Sequence, residues 1–124
     1  MNYLDTDFVT LAIKEGVLYA WYKKKLIHLN AAMNIVTDRL DFSNGTDYHS
    51  IVDIRELEGV REDARKFLSS DIAIKGLLSM AIIINSGFIA SIANVRYMII
   101  KPPIPTKLFS SEEKAKEWIN NLNK

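Results

Sequence analysis

The sequence predicts an α/β fold in one domain spanning residues 1–124. The expected form is an open sheet that begins as an antiparallel hairpin, continues in parallel βα units and carries helices on its faces. Three observations predict it. Two runs rich in β-branched and aromatic residues flank a glycine near the N-terminus. Further on, short apolar runs alternate with segments of helical period. One of those runs, LLSMAIII, is apolar throughout, as a strand covered on both faces requires.

Phe8–Ile13 (FVTLAI) and Val17–Tyr22 (VLYAWY) form the predicted hairpin, with Lys14-Glu15-Gly16 between them supplying a residue that tolerates positive φ. Val17, Tyr19 and Trp21 alternate with Leu18, Ala20 and Tyr22, so both faces of the second strand are largely apolar. The period then changes. Leu29, Ala32, Met33, Val36 and Leu40 lie on one helical stripe, and Ser43-Asn44-Gly45 supplies the left-handed stop. Ile51–Ile54 is a short strand, and Val60, Ala64, Phe67 and Leu68 are spaced as a helix. Ser69-Ser70-Asp71 is expected to interrupt that helix and cap another short one through Lys75 and Gly76. Leu77–Ile84 is the apolar strand. After Asn85-Ser86-Gly87, Phe88, Ile92, Val95 and Ile99 share one helical stripe. Pro102, Pro103 and Pro105 force an extended path, Thr106–Phe109 is the last strand, and Ser110 to Glu113 is a capping-box pattern. The last helix directs Ala115, Trp118, Ile119 and Leu122 inward.

Composition narrows function more than it names it. With 48% hydrophobic and 25% charged residues the chain belongs with folded globular proteins. A net charge of +1, with Lys23-Lys24-Lys25 as the only basic cluster, argues against nucleic-acid binding. The absence of cysteine removes disulfides, thiol catalysis, thiolate zinc and iron–sulfur clusters. The N-terminus, MNYLDTDFVT, lacks the basic and apolar regions of a signal peptide, so a cytoplasmic location is expected. Residues 77–95 are free of charge and long enough to cross a bilayer, but Asn85, Ser86 and Gly87 at their middle favour strand, turn and helix over a transmembrane span.

No constellation of residues supports catalysis, a metal or a cofactor. His28 and His49 have no partner at metal-ligand spacing, no glycine-rich phosphate loop is present, and Glu56 and Glu58 are a carboxylate pair that nothing places around a substrate. In an open α/β sheet, ligands gather at the carboxyl ends of the strands. Here those ends carry Arg55, Asn85, Ser86 and Gly87, with Arg61 nearby, as a candidate anion or ligand site; the plainer reading is that Asn85 or Ser86 caps the helix. The apolar stripe Phe88, Ile92, Val95, Ile99, widened by Tyr97 and Met98, exceeds what one buried face needs. It suggests a protein partner, most simply a second copy forming a homodimer, or else a groove for an apolar small ligand.

VDIREL, ARKFLSS, the apolar strand and above all the tail KPPIPTKLFSSEEKAKEWI resemble small bacterial proteins with the STAS (SpoIIAA-like, STAS/SEC14-type) fold, over about residues 7–122. The resemblance implies a mixed sheet of four to five strands packed with helices, in proteins of unassigned activity. Better-known STAS regulators carry a phosphorylatable serine in Asp-Ser-Ser/Thr-Gly at the start of the helix after the strand that VDI matches. In this chain that junction is Glu56-Leu57-Glu58-Gly59-Val60-Arg61, without serine or threonine, and Asn85-Ser86-Gly87 falls one βα unit later. The leading reading is a non-enzymatic regulatory or protein-interaction module without the serine switch, and the alternative is a small-ligand or lipid-binding domain using an apolar groove beside the 88–100 helix.

Overall fold

Val17, Leu18, Tyr19 and Ala20 are all buried, and this two-sided burial of one strand sets the architecture. The computed structural model describes residues 3–89 and 102–122, the side chains of Phe88 and Ile89 excepted. The hairpin pairs β2 (Val9–Lys14) with β3 (Val17–Tyr22), and its two-residue turn has φ 52° at Glu15 and 76° at Gly16, the twist-matched geometry that tight hairpins favour. After β3 come β4 (Leu26–Ile27), α1 (Leu29–Ser43), β5 (Tyr48–Asp53), β6 (Gly59–Val60) and α2 (Glu62–Leu68). Then follow β7 (Leu77–Ile83), α3 (Ser86–Ile89), β8 (Thr106–Phe109) and α4 (Glu112–Leu122).

The main sheet has six strands rather than four to five, because β1 (Tyr3–Asp5) adds antiparallel to the outer edge of β2. Its order is β1-β2-β3-β5-β7-β8, with β3, β5, β7 and β8 mutually parallel, and β4 and β6 form a separate two-stranded pair. Leu77–Ile83 is thus a strand within this sheet. Among the described residues no helix is long and apolar enough to cross a membrane.

Because alternate residues of a strand point to opposite faces, the sheet sorts its side chains into two cores. Val9, Leu11 and Ala20 pack with Ala31, Ala32 and Ile35 of α1 and Ala64 of α2. On the other face Ala12, Val17, Tyr19, Ile51, Ala81 and Ile83 pack with Ala115 and Ile119 of α4.

Besides Val60, which was expected on the second helix and instead lies in β6, paired with Ile27 of β4, four local expectations change. The buried stripe of α1 runs through Ala31, Ala32, Ile35, Val36, Arg39 and Ser43, whereas Met33, placed on the stripe by its hydrophobicity, is 46% exposed. Arg39 occupies the core phase instead. Its guanidinium donates to the carbonyls of Lys75 (2.9 Å) and Ala73 (2.6 Å), and those bonds hold residues 71–76 as successive turns where a short helix was expected. Gly76, at φ 84°, closes them ahead of β7. Leu122, expected inward, is 38% exposed at the end of α4. The fourth concerns a cap: the Lys114 amide donates to the hydroxyl of Ser111 at 3.3 Å, so Ser111 rather than Ser110 precedes the helix. Ser111→Ala should lower stability by about 1 kcal/mol and Ser110→Ala by much less, a difference readable as the shift in urea midpoint.

Helix α1 is capped at both ends as its sequence allows. The His28 Nδ1 accepts from the Ala31 amide at 3.2 Å, and Asn44 takes the left-handed conformation with its amide on the Leu40 carbonyl. The histidine thus acts as a helix cap.

Candidate functional site

At the carboxyl ends of β3, β5 and β7 the structure brings together Trp21, Tyr22, Asp53, Arg55, Glu56 and Asn85 around a cleft of about 330 Å³. Of the expected strand-end residues, Arg55 and Asn85 meet here, the Asn85 side-chain amide donating to the Arg55 carbonyl at 3.1 Å. Asp53, which sequence reasoning did not single out, organises the cleft. Its carboxylate receives Arg55 Nε at 3.0 Å and Nη2 at 2.6 Å in a fork, and also the Arg55 backbone amide at 3.1 Å. These bonds, more than the opposing burial, raise the Arg55 guanidinium above its ordinary pKa. One guanidinium faces two carboxylates, Asp53 and Glu56, so the cleft is poorly charged to hold an anion. Arg61 does not line it; that residue precedes α2 and donates its amide to the Ile27 carbonyl. Ser86 and Gly87 open the four-residue α3, both exposed, and a methyl group built on Gly87 would meet nothing within 4 Å. Of the expected interaction surface, Ile92, Val95 and Ile99 and the side chain of Phe88 lie outside the described residues.

His49 also finds a partner. It pairs in register with Ser79 on β7, and its Nδ1 lies 2.7 Å from the Ser79 hydroxyl. Ser79 is fully buried, so the contact satisfies two polar groups within the sheet and presents no nucleophile to a substrate. Among the described residues no three metal-ligating side chains come together.

The second site is a partly open pocket between the sheet and the α1–α2 pair. It is a cavity of about 120 Å³, walled by Leu18, Ala20, Val52 and Ile82 from the strands and by Ile35 and Leu68 from the helices. The apolar wall follows from strand alternation: the residues that face α1 and α2 on β3, β5 and β7 are mostly aliphatic. Five polar residues interrupt it: Tyr22, Arg39, Ser50, Arg65 and Ser69. Ser50 donates its hydroxyl to the Ser79 carbonyl at 2.7 Å, and Ser69 donates to the Lys66 carbonyl at 3.0 Å. Burial pulls the Arg39 guanidinium below the usual arginine pKa, with nearby Tyr22 opposing, and pushes the Tyr22 hydroxyl up to about 12. Arg65 differs from all of these. Its Nε is shut off from solvent and finds no acceptor among the described residues. A buried N–H in that state costs about 1–3 kcal/mol. No aspartate or glutamate lines the cavity, and among the described residues neither Arg39 nor Arg65 is in an ion pair.

Sequence reasoning missed this cavity, although a signal was present. Arg39 follows Ile35 by four residues and Val36 by three, so it carries a cation on the core phase of an amphipathic helix.

The fold is SpoIIAA-like. A crystal structure of an uncharacterised protein of the DUF3478 family from Shewanella loihica PV-4, described as having a SpoIIAA-like fold, superposes with a TM-score of 0.62. The two chains are 16% identical, and the match covers 94% of this chain and 98% of the other. No curated protein matches the sequence. A family model does match it, over residues 11–123, and the chain belongs to that family, the domain of unknown function DUF7793.

Proposed function

We propose that this chain acts by binding rather than catalysis, as a non-enzymatic domain that takes a small apolar ligand into the cavity between the sheet and the α1–α2 pair. The observation that carries this reading is the cavity itself, about 120 Å³ of aliphatic-walled, partly open space between the sheet and the α1–α2 pair. Protein interiors rarely leave voids larger than a water molecule. A dry engineered cavity of about 150 Å³ binds benzene, so this one suits a single ring or a short branched chain and not a long acyl tail. The ligand thus sits under α1 and α2 rather than beside the helix expected over 88–100. A regulatory module that binds protein, or a homodimer, draws its support from the stripe Phe88, Ile92, Val95 and Ile99, and the described geometry adds nothing to it. A soluble, cytoplasmic, single-domain protein fits either reading.

Titration with benzene, followed by amide NMR, tests the proposal. Saturable shifts are expected at Ala20, Val52 and their neighbours. Ala20→Leu, which puts an isobutyl group into the space, should abolish them and raise stability by about 0.5–2 kcal/mol. Wild-type protein without saturable shifts would overturn the reading.

A further inference from the structure

We infer that the ligand of this cavity is a small apolar monocarboxylic acid, bound as its anion, with Arg65 as the residue that receives the carboxylate. This rests on the ligand-binding reading above and sharpens it to a chemical class. The cavity takes cations from two elements, Arg39 from α1 and Arg65 from α2, and no carboxylate lines it to balance them. Arg39 is buried, whereas Arg65 is half-buried with its Nε alone shut off from solvent, and a carboxylate is the partner whose geometry fits a guanidinium fork.

The two arginines are not equivalent. Arg39 is 7% exposed and already donates through Nη1 and Nη2 to the carbonyls of Lys75 and Ala73, so it is held in place by its own chain. It lends positive potential to the cavity while both of its Nη atoms already have carbonyl partners. Arg65 has a solvent-excluded Nε with no acceptor among the described residues, a donor directed by α2 and left unmatched by the fold. Tyr22, whose hydroxyl stays protonated under all ordinary conditions, supplies a further donor on the wall. The remaining surface is aliphatic, which selects an apolar body behind the acidic head. The strand-end cleft offers no rival for the same ligand, because Arg55 there is already paired with Asp53.

Benzoate and its neutral isostere benzamide, titrated into the whole protein at pH 7 by amide NMR, separate head from body. Benzoate should bind at least tenfold more tightly than benzamide, with shifts at Ala20 and Val52. Arg65→Gln should bring the ratio towards one, and Arg65→Lys should restore part of it. Equal affinities in the wild type would overturn the acid-head inference while leaving the cavity reading intact. Shifts confined to the Lys23-Lys24-Lys25 surface would overturn it too. Should neither compound bind, and benzene also fail, both readings fall. The benzoate-to-benzamide ratio of the wild type decides the matter even if Arg65→Gln does not fold.

Discussion

Ile51→Ala should lower folding stability by about 2–5 kcal/mol, well beyond the loss of a cap or of an exposed side chain. Ile51 is 1% exposed on β5, between Tyr19 of β3 and Ala81 of β7, and belongs to the core that α4 closes with Ala115 and Ile119. The cost has two parts, the lost transfer energy of the side chain and the void left behind. Here the void cannot collapse easily. Ala81 and Ala115 are methyl groups with nothing longer to swing inward, and β5 is pinned by parallel neighbours on both sides. The α1–α2 face differs in already holding open space. Urea unfolding reads the effect as a drop in midpoint at unchanged slope. Met33→Ala on exposed α1 surface is the control and should stay within about 0.5 kcal/mol of wild type. Equal losses at the two positions would mean that the α4 face is not the tightly packed core described.

Most of this framework was legible in the residues, for identifiable reasons. The hairpin announced itself because Glu15-Gly16 can adopt positive φ between two strongly β-forming runs. Helix α1 ended where Asn44 could turn left-handed, and Leu77–Ile83 was readable as a strand because its short apolar run without alternation stops at Asn85-Ser86-Gly87, too soon for a membrane helix. What escaped depended on contacts distant in sequence. The turns at 71–76 exist because Arg39 reaches across from α1, more than thirty residues earlier, to bind their carbonyls. Strand β1 is three residues long and is defined by its pairing with β2 rather than by any pattern of its own. The candidate site was half-visible. Arg55 and Asn85 sit at strand ends as topology requires, but their partner Asp53 is a strand residue whose side chain could not be paired without coordinates. The cavity is a negative feature, the volume that side chains from seven elements fail to fill, and no periodicity encodes it.

The cavity's polar wall leads to the second large effect, a loss of stability at alkaline pH that runs through one tyrosine. Tyr22 is half-buried and lines both the cavity and the strand-end cleft; burial, which penalises the phenolate, raises its pKa to about 12 from an ordinary 10.0, and the Arg39 cation opposes this but more weakly. A folded-state pKa above the unfolded one means that, between those values, the native protein holds a proton that the unfolded chain has lost. Stability therefore falls with rising pH in that window. The contribution is complete below pH 10 and is lost as pH climbs through about 12, a total of about 3 kcal/mol for a shift of this size. Tyr19, whose pKa burial also raises, adds to the same slope, so the decisive comparison is between wild type and Tyr22→Phe. Urea midpoints measured at pH 8 and pH 11 should fall more steeply in the wild type, with Tyr22→Phe removing most of the difference. Parallel falls in the two proteins would show that the hydroxyl is hydrated in the folded state. That result would bear on the binding site as well, because a wall wet enough to solvate phenolate at Tyr22 would also admit water to Arg65, and the unmatched Nε would no longer distinguish a carboxylate from solvent.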